Sequence, residues 1–405
     1  MDFLKSHVNL PNVTLPDLRQ FSSSTVKDFA TLIKGDPQLF QLASAMFIQT
    51  GSNPMDIPQR LVTFLTDLDQ VVRTAPSYNA SAANHSLGGT LGLLTNVTEP
   101  FIKSPAGRVF FSDARVDKAS RSLMKEWTVF LTSPESASVL HEGPGGWFSS
   151  EALGEESLDD FDATFVTDPA QEHHRYVSWD DFFIRRFREG VRPIADPDND
   201  TVITAPCEAI PFRIQTDLQS NDIFDIKEQK YSLRMMFDDD QLAEQFIGGR
   251  LYQGYLHPTS YHRWHAPISG TILAMKTIQG RFAPALLSIS DAIESEGARK
   301  VSEWGKAEAQ AAVHEASRSV IVINNERLGA VGCVFAGIRE RGSCEPTVKE
   351  GDQVGKGDEI GMFHFGGSSH ALIFSPSLNV FFPSFEERSS RDLVNSLIGR
   401  SGRFE

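Results

Sequence analysis

The sequence predicts an α+β fold in which helices come first and short strands follow. Apolar residues recur at helical spacing up to about residue 130, whereas from Thr201 onward they fall in short β-like runs. Glycines separate the last of these runs, which is typical of tight turns between short strands. We therefore expect a helical N-terminal domain at 1–175, a β-rich barrel or sandwich core at 176–385 and a helical tail at 386–405.

The predicted helices are indicated by apolar stripes and by signals at their ends. Asp36-Pro37 is typical of an N-cap followed by proline at the first helical position, and it comes directly after a helix that Gly35 closes. The run SSRDLVNSLIG at 389–399 predicts a capped amphipathic helix in the tail. The three clearest stripes are Val26, Phe29, Ala30 and Ile33; Leu61, Phe64, Leu65, Leu68 and Val72; and Leu123, Trp127 and Phe130.

Short apolar runs predict the strands of the core. They are Thr201–Thr204, Ile210–Ile214, Leu251–Leu256, Ile268–Ile278, Ser319–Ile323 and Val331–Ile338. The segment Thr347–Phe363 follows, with glycines at the spacing of tight turns. This spacing is similar to that of the half-barrels that carry lipoyl or biotinyl groups, but no lysine stands at a hairpin tip for their chemistry.

Composition and charge argue against several classes of function. The formal net charge of −15 disfavours a nucleic-acid binder and leaves no polybasic membrane patch. The three cysteines form no C-x-x-C pair, so a zinc knuckle or redox motif is not expected. A low, odd cysteine count together with the lack of an apolar leader or spanning run predicts a cytoplasmic protein.

The run Gly366-Gly367-Ser368-Ser369 interrupts a β-like segment. One interpretation is a bulge or strand crossover, because glycine inside a strand often marks one. The other is backbone self-cleavage, in which the Ser368 hydroxyl attacks the Gly367 carbonyl, which no Cβ shields. A base then removes the Ser368 Cα proton, and β-elimination releases the upstream chain. The remaining dehydroalanine hydrolyses to a pyruvoyl group, so a reactive ketone is made from the chain itself.

Three histidines, His257, His262 and His265, fall within nine residues. One interpretation is that His257 and one other are satisfied polar residues at a strand end. A metal site is disfavoured, because no cysteine or carboxylate lies nearby at ligand spacing. The third interpretation is general acid–base chemistry, which two imidazoles at one site suit at neutral pH.

A third segment, Trp179–Pro193, reads WDDFFIRRFREGVRP. Its pattern predicts an amphipathic helix with a basic face, ended by Gly190 and Pro193. Taken alone, this segment indicates structure rather than chemistry.

Together the three segments resemble the phosphatidylserine decarboxylase family of pyruvoyl enzymes. The family carries an F-F-x-R…R-P segment, a Y-H-R-x-H segment and a G-S-S or G-S-T segment in that order, and here they read DFFIRRFREGVRP, SYHRWHAP and FGGSSH. Each motif alone is weak, whereas all three in order are fairly specific. The resemblance covers roughly residues 176–380 and implies a core of the same type.

The resemblance implies roles for individual residues. Cleavage falls between Gly367 and Ser368, and Ser368 becomes the covalent pyruvoyl cofactor that forms a Schiff base with the substrate. His265 assists self-processing and His262 donates the proton in decarboxylation. Ser369, the second serine of the motif, is a further candidate. The cleaved large and small chains are expected to stay associated.

The sequence also departs from the family pattern. Glu208, in Pro206-Cys207-Glu208-Ala209, stands where the family's processing aspartate would be, and its carboxylate remains able to orient His265. The region 281–317 is longer and richer in alanine and glutamate than in the lipid-acting members. The helical N-terminal region and the Cys207-Glu208 pair are more similar to members that act on a free amino acid.

The leading hypothesis is a pyruvoyl-dependent carboxy-lyase that converts a free, aromatic, tryptophan-like L-amino acid to the amine and CO₂. One alternative is a phosphatidylserine decarboxylase that makes phosphatidylethanolamine. The other is an unprocessed binding protein without catalytic activity, because Glu208 replaces the family's processing aspartate. The expected partner is a small-molecule substrate, with no nucleic acid, no membrane and no metal, and a homo-oligomer is left open.

Overall fold

The computed structural model describes residues 17–79, 92–219, 233–280, 282, 316–337, 344–365, 368–383 and 391–402. The chain folds into two compact units, one of residues 1–74 and 94–130 and the other of residues 75–93 and 131–405. Residues 131–175, expected in the helical domain, group with the second unit.

Helices form the first unit. They are α1 (Ser24–Gly35), α2 (Pro37–Gln49), α3 (Ile57–Val71), α4 (Leu93–Ile102), α5 (Pro105–Ser112) and α6 (Ala114–Leu131), with 3-10 turns at Leu18–Gln20 and Pro54–Asp56. The predicted N-cap is confirmed, because the Asp36 carboxylate accepts hydrogen bonds from the backbone N–H groups of Gln38 and Leu39, each 2.9 Å long. The predicted stripes of α1 and α3 are buried, so their apolar faces form the core of this unit.

Short helices of the second unit precede and interrupt its strands. They are α7 (Ser150–Leu153), α8 (Phe161–Thr164), α9 (Trp179–Phe183), α10 (Leu233–Phe237) and α11 (Asp240–Glu244), with 3-10 turns at Pro134–Val139 and Glu172–Arg175. Aromatic packing ties residues 131–175 to this unit: the ring centroids of Trp147 and Trp179 lie 6.2 Å apart, and those of Phe148 and Phe182 lie 5.6 Å apart.

Strands make up the rest of the second unit. They are β1 (Val202–Thr204), β2 (Ile210–Thr216), β3 (Arg250–Leu256), β4 (Arg263–His265), β5 (Gly270–Ile278), β6 (Arg318–Asn325), β7 (Gly329–Gly337), β8 (Cys344–Pro346), β9 (Gln353–Val354), β10 (Glu359–Phe363), β11 (Ser368–Phe374), β12 (Val380–Phe381) and β13 (Leu397–Ser401). Each of the six runs predicted to be a strand overlaps one of them. The turn glycines Gly351 and Gly357 have φ of 89° and 85°, which confirms tight turns at these two positions, whereas Gly361, also predicted at a turn, lies inside β10.

A seven-stranded antiparallel sheet in the order β2-β3-β11-β7-β6-β5-β9 organises this unit. Strand β11 lies inside it, paired along its whole length with β3 and with β7. Side chains alternate between its faces: Leu372 and Phe374 join one apolar cluster, while Ala371 and Ile373 join another that also contains residues of α10 and α11. Because both faces are covered, residues 371–374 of β11 form a continuous apolar run.

Two smaller sheets complete the described strands, in the orders β1-β13-β12 and β4-β10-β8. The helical tail predicted at 386–405 is wrong for the part that the structure describes, because β13 pairs there with β1 and β12. Its apolar residues suit either structure, and pairing with the edge of β1 decides between them.

The α+β class is confirmed. Within the described residues the seven-stranded sheet ends at β2 and β9, and no pairing closes it into a barrel. For the core predicted to be a barrel or sandwich, the described strands form one open seven-stranded sheet and two small sheets.

Candidate active site

Two antiparallel pairings bring the candidate residues together. Strand β11 begins at Ser368, opposite Leu256 at the end of β3, while β10 pairs with β4. The histidine loop (residues 257–262) connects β3 to β4, and the cleavage segment (residues 364–368) connects β10 to β11. The described ends of these two connections therefore lie side by side. The backbone N–H of Phe363 donates to the carbonyl of His262 across 2.9 Å, which fixes them to each other.

Ser368 lies at the start of β11 and is 1% exposed. The alternation of the strand places its side chain on the face of Leu372 and Phe374. Ser369 points to the opposite face, where its hydroxyl donates to the carbonyl of Gly254 across 3.2 Å. The two serines are therefore in different environments. Gly367, the other half of the predicted cleavage site, lies outside the described residues.

His262 is fully buried in the histidine loop. Its Nδ1 lies 2.8 Å from the carbonyl oxygen of Ser260, and its ring stacks on Phe183 with centroids 4.0 Å apart. Because a carbonyl only accepts, Nδ1 carries the proton and Nε2 is the atom that can exchange one.

His265 is held through both ring nitrogens. Nδ1 donates to the carbonyl of Gly357 across 2.7 Å, and Nε2 lies 2.9 Å from the hydroxyl of Tyr261. Burial raises the pKa of Tyr261, so its hydroxyl stays protonated and donates to Nε2. Burial also lowers the pKa of His265, which keeps its imidazole neutral at pH 7. A neutral imidazole is the form that a general base needs.

Glu208 is buried and pairs with two arginines. Its carboxylate lies 2.6 Å from Nε of Arg192 and 3.5 Å from the guanidinium of Arg391. The expected contact between Glu208 and His265 is replaced in this structure by these ion pairs, because two cations attract the carboxylate more strongly than a neutral imidazole. The segments are nevertheless adjacent, since the backbone N–H of His265 donates to the carbonyl of Pro206 across 2.8 Å.

Replacing Glu208 with alanine is expected to lower the free energy of unfolding by about 3 kcal/mol, because two partly buried guanidinium groups lose their counter-ion. Chemical denaturation measures this loss, and Glu189→Ala, which removes an exposed carboxylate, is the control expected to stay within about 0.5 kcal/mol of wild type. Glu208→Gln should be destabilised but still yield cleaved chains. If Glu208→Gln instead keeps the stability of wild type but is not cleaved, Glu208 is the carboxylate that orients His265.

The segment predicted to form a basic helix instead forms hydrogen bonds with the histidine loop. Helix α9 ends at Phe183, and the helix predicted over 184–190 is wrong. The buried guanidinium of Arg185 donates to the carbonyls of Thr259 and Ser260, 2.5 and 3.0 Å away. The chain leaves helical geometry at Ile184, directly before Arg185, and periodicity alone cannot show such long-range bonds.

His364, at the start of the cleavage segment, is held between two carboxylates. Nδ1 lies 2.9 Å from Asp180 of α9, which is buried, and Nε2 lies 2.9 Å from Glu345 of β8. Burial lowers the pKa of His364, but the hydrogen bonds and charges of Asp180 and Glu345 outweigh it, so the pKa lies above its ordinary value. We call these three residues the carboxylate clamp.

The clamp should make stability depend on pH. A histidine whose pKa is raised by folding stabilises fully below its unfolded pKa, about 6.5, and loses this contribution as pH rises through the folded pKa. We expect His364→Gln to lower the free energy of unfolding at pH 6 by about 1.5–3 kcal/mol, the usual cost of losing charged hydrogen bonds. The difference in the free energy of unfolding between His364→Gln and wild type should become smaller above the pKa of His364 in the folded protein. Denaturation at several pH values measures it, with His257→Gln as control, and a difference that does not change with pH would contradict the clamp.

Sequence reasoning singled out the serine and the two histidines as candidates but missed the groups that contact them. Tyr261 stood inside the SYHRWHAP motif, and its tyrosine hydroxyl so close to a histidine was a usable signal. Asp180 also stood inside the quoted segment WDDFFIRRFREGVRP, whereas His364 directly precedes FGGSSH. Arg192 stood in the same segment as Asp180, but nothing in the sequence relates it or Arg391 to Glu208.

Comparison with known proteins identifies the family. Residues 179–391, more than half of the chain, match the family model described as phosphatidylserine decarboxylase. The chain belongs to this family. Residues 23–155 match a second model described in the same words, so both compact units contribute residues to the match.

Three relatives illustrate the similarity. The decarboxylase iboD of Amanita muscaria is 36% identical over 310 residues, which cover 73% of this chain and 87% of that protein. The L-tryptophan decarboxylase of Psilocybe cubensis is 31% identical over 360 residues, covering 86% and 79%. A phosphatidylserine decarboxylase proenzyme of Chlamydia trachomatis is 30% identical over 219 residues, covering 53% and 65%. This protein is accordingly a decarboxylase, that is, a carboxy-lyase.

No helix in the described part of the decarboxylase combines the length and the hydropathy needed to cross a lipid bilayer.

Proposed function

We propose that this decarboxylase cleaves itself between Gly367 and Ser368, uses the resulting pyruvoyl group as its cofactor, and converts a free aromatic L-amino acid to its amine and CO₂. The observation that supports this best is the position of Ser368. It starts a buried strand, follows two glycines, and lies beside the loop that carries His262.

Self-cleavage requires an acyl shift, a proton transfer and an elimination. The Ser368 Oγ attacks the Gly367 carbonyl, so the amide C–N bond breaks and an ester forms. A base removes the Ser368 Cα proton, the Cβ–O bond breaks, and the large chain leaves with a Gly367 carboxylate. Water then hydrolyses the dehydroalanine at residue 368 to the ketone and releases ammonia. His265, neutral and linked to Tyr261, is the proposed base.

The residues present suit a pyruvoyl group at position 368. Ser368 is buried, so the site excludes bulk water, and an aromatic-stacked imidazole lies in the adjacent loop. When formed, the ketone would supply an electron sink for the electrons that the bond to the substrate's carboxylate carbon leaves behind when CO₂ departs. His262 would deliver a proton to the substrate carbon from Nε2, because the carbonyl of Ser260 holds the other ring proton on Nδ1.

The pairing of β11 gives a reason for the cleaved chains to stay together. After cleavage the small chain, residues 368–405, would contribute β11 between β3 and β7 of the large chain. It would also contribute β13 beside β1. Separation would break every one of these ladders and expose both apolar clusters, so we expect association without a covalent link.

The substrate proposal depends on which relatives are similar over most of the chain. The fungal proteins named iboD decarboxylase and L-tryptophan decarboxylase align with 73% and 86% of it, whereas the phosphatidylserine decarboxylase proenzyme aligns with 53%. The name L-tryptophan decarboxylase specifies an amino acid, and the longer alignment with that protein favours an amino acid over a lipid.

An amine-release assay tests the proposal. The purified full-length protein is incubated with each free proteinogenic L-amino acid and, separately, with vesicles containing phosphatidylserine. Release of tryptamine or another aromatic amine by wild type, and none by Ser368→Ala, is the expected result. Phosphatidylethanolamine formation without any free amine would favour the lipid reaction, and no product of either kind would favour a non-catalytic protein.

A further inference from the structure

His370 is a buried histidine that the proposed mechanism does not use. It is 1% exposed, and neither of its ring nitrogens has a hydrogen-bond partner within the described part of the chain. Buried polar atoms nearly always have partners, and leaving one without a partner costs free energy. Packing alone does not require an imidazole here, since an aliphatic side chain of similar size would avoid that cost.

The position of His370 relates it directly to Ser368. The two residues are separated by one residue on β11, so their side chains point to the same face of the sheet about 6.5–7 Å apart. That spacing is comparable to the span of an aromatic amino acid side chain. A substrate attached at residue 368 and directed along this face would therefore bring its ring to the imidazole.

The neighbouring strand leaves room for the imidazole. Gly254 of β3 lies opposite His370, and a Cβ atom at that position would be 2.9 Å from Cε1 of the ring and 3.1 Å from Cβ of Ala209. A side chain at residue 254 would therefore collide with the imidazole. The hydroxyl of the nearby Tyr252 already donates to Asp392, so it does not serve His370.

Burial also fixes the chemical form of the ring. It lowers the pKa of His370 to about 3, so the imidazole is neutral at pH 7 and offers one N–H donor and one acceptor. A buried neutral imidazole with both atoms available is suited to a polar group on an otherwise apolar ligand.

We propose that His370 determines substrate specificity by hydrogen-bonding a polar ring atom of the substrate side chain. The inference rests on the proposed function, because it takes Ser368 as the point of attachment. It extends that function by assigning the substrate class: heteroaromatic amino acids with a ring N–H are accepted, and hydrocarbon or thiophene rings of the same shape are disfavoured. A site built to bond a polar group discriminates against the analogue that lacks it.

The test compares tryptophan with benzothienylalanine, in which sulfur replaces the indole N–H at nearly constant shape. Wild-type enzyme should prefer tryptophan by about 10–100-fold in kcat/KM, mostly through KM. His370→Leu should reduce this ratio to near one, and His370→Gln, which keeps a donor and an acceptor, should restore part of it. Calorimetric titration of the processed protein with tryptamine and its benzothiophene counterpart supplies the same comparison without turnover.

A purely structural role makes different predictions. It predicts that His370→Leu lowers the melting temperature and leaves the ratio unchanged, whereas our inference predicts a melting temperature at least equal to that of wild type. Any of three results overturns the role of His370. The ratio of kcat/KM for tryptophan to that for benzothienylalanine is the same in His370→Leu as in wild type, wild type does not discriminate between the two compounds, or wild type is inactive on both. An uncut wild-type chain without a ketone would instead remove the proposed function itself, so the two failures are distinguishable.

Discussion

Ser368→Ala is expected to remain one uncut chain with no measurable decarboxylase activity. Without the hydroxyl there is no nucleophile to attack the Gly367 carbonyl and no precursor of the ketone, so both processing and turnover are lost together. The loss should reach the detection limit, which in a sensitive assay is at least about 10⁴-fold. Electrophoresis under denaturing conditions and an amine-release assay measure the two losses.

Ser369→Ala is the matched control for this experiment. The same atom is removed one residue later, but the Ser369 hydroxyl bonds to the carbonyl of Gly254 on the other face of the sheet. We expect a cut, active enzyme with a modest loss of stability, about 1 kcal/mol for one buried hydrogen bond. A cut and active Ser368→Ala protein, or an uncut Ser369→Ala protein, would contradict the assignment of the nucleophile.

His262→Phe is expected to separate processing from decarboxylation. Phenylalanine can keep the stacking on Phe183 but has no proton to exchange at the position of Nε2. We expect the chain to be cut and to contain the ketone, while kcat falls by about 10²–10⁴-fold, the usual contribution of one positioned acid or base. Single-turnover assays on the processed variant measure the step directly.

His257→Ala provides the comparison in the same loop. His257 bonds through Nδ1 to the hydroxyl of Thr259 across 2.7 Å, and we assign it no part in the chemistry. Its replacement should leave kcat within a factor of a few of wild type. An uncut His262→Phe chain would move His262 into the processing step, and an active one would exclude it as the proton donor.

Local sequence patterns predicted the elements whose side chains face one environment along their length. The stripe from Val26 to Ile33 follows the burial of α1, and the apolar run of β11 follows its coverage on both faces. The helix predicted in the tail is wrong because Leu397 and Ile398 fit a strand as well as a helix. Pairing with β1, almost two hundred residues earlier in the chain, selects the strand.

The candidate site could be predicted only at residues that stand in short motifs. Ser368, His262 and His265 stand in short motifs whose chemistry can be read from residue type. Their positioning depends on long-range contacts such as Arg185 to the histidine loop and Asp180 to His364. Such contacts have no local signature, and a buried arginine looks the same in sequence as a solvated one.

The positive φ of Phe365 adds a physical detail to the cleavage segment. This residue is buried and has φ of 35°, in the left-handed region that disfavours bulky side chains. It lies between the carboxylate clamp at His364 and the glycines before Ser368. The structure therefore places a backbone conformation that costs about 1–3 kcal/mol three residues before Ser368.

The central claim is that one peptide bond severs itself and leaves a ketone on the new N-terminus. Intact-mass measurement of the purified wild-type protein, before and after borohydride, tests it most directly. We predict two chains, with the smaller beginning at residue 368 and lighter than a serine-initiated chain by the mass of ammonia, and gaining two hydrogens on reduction. A single full-length mass, unchanged by borohydride, in a preparation that still releases CO₂ from an amino acid would contradict this account.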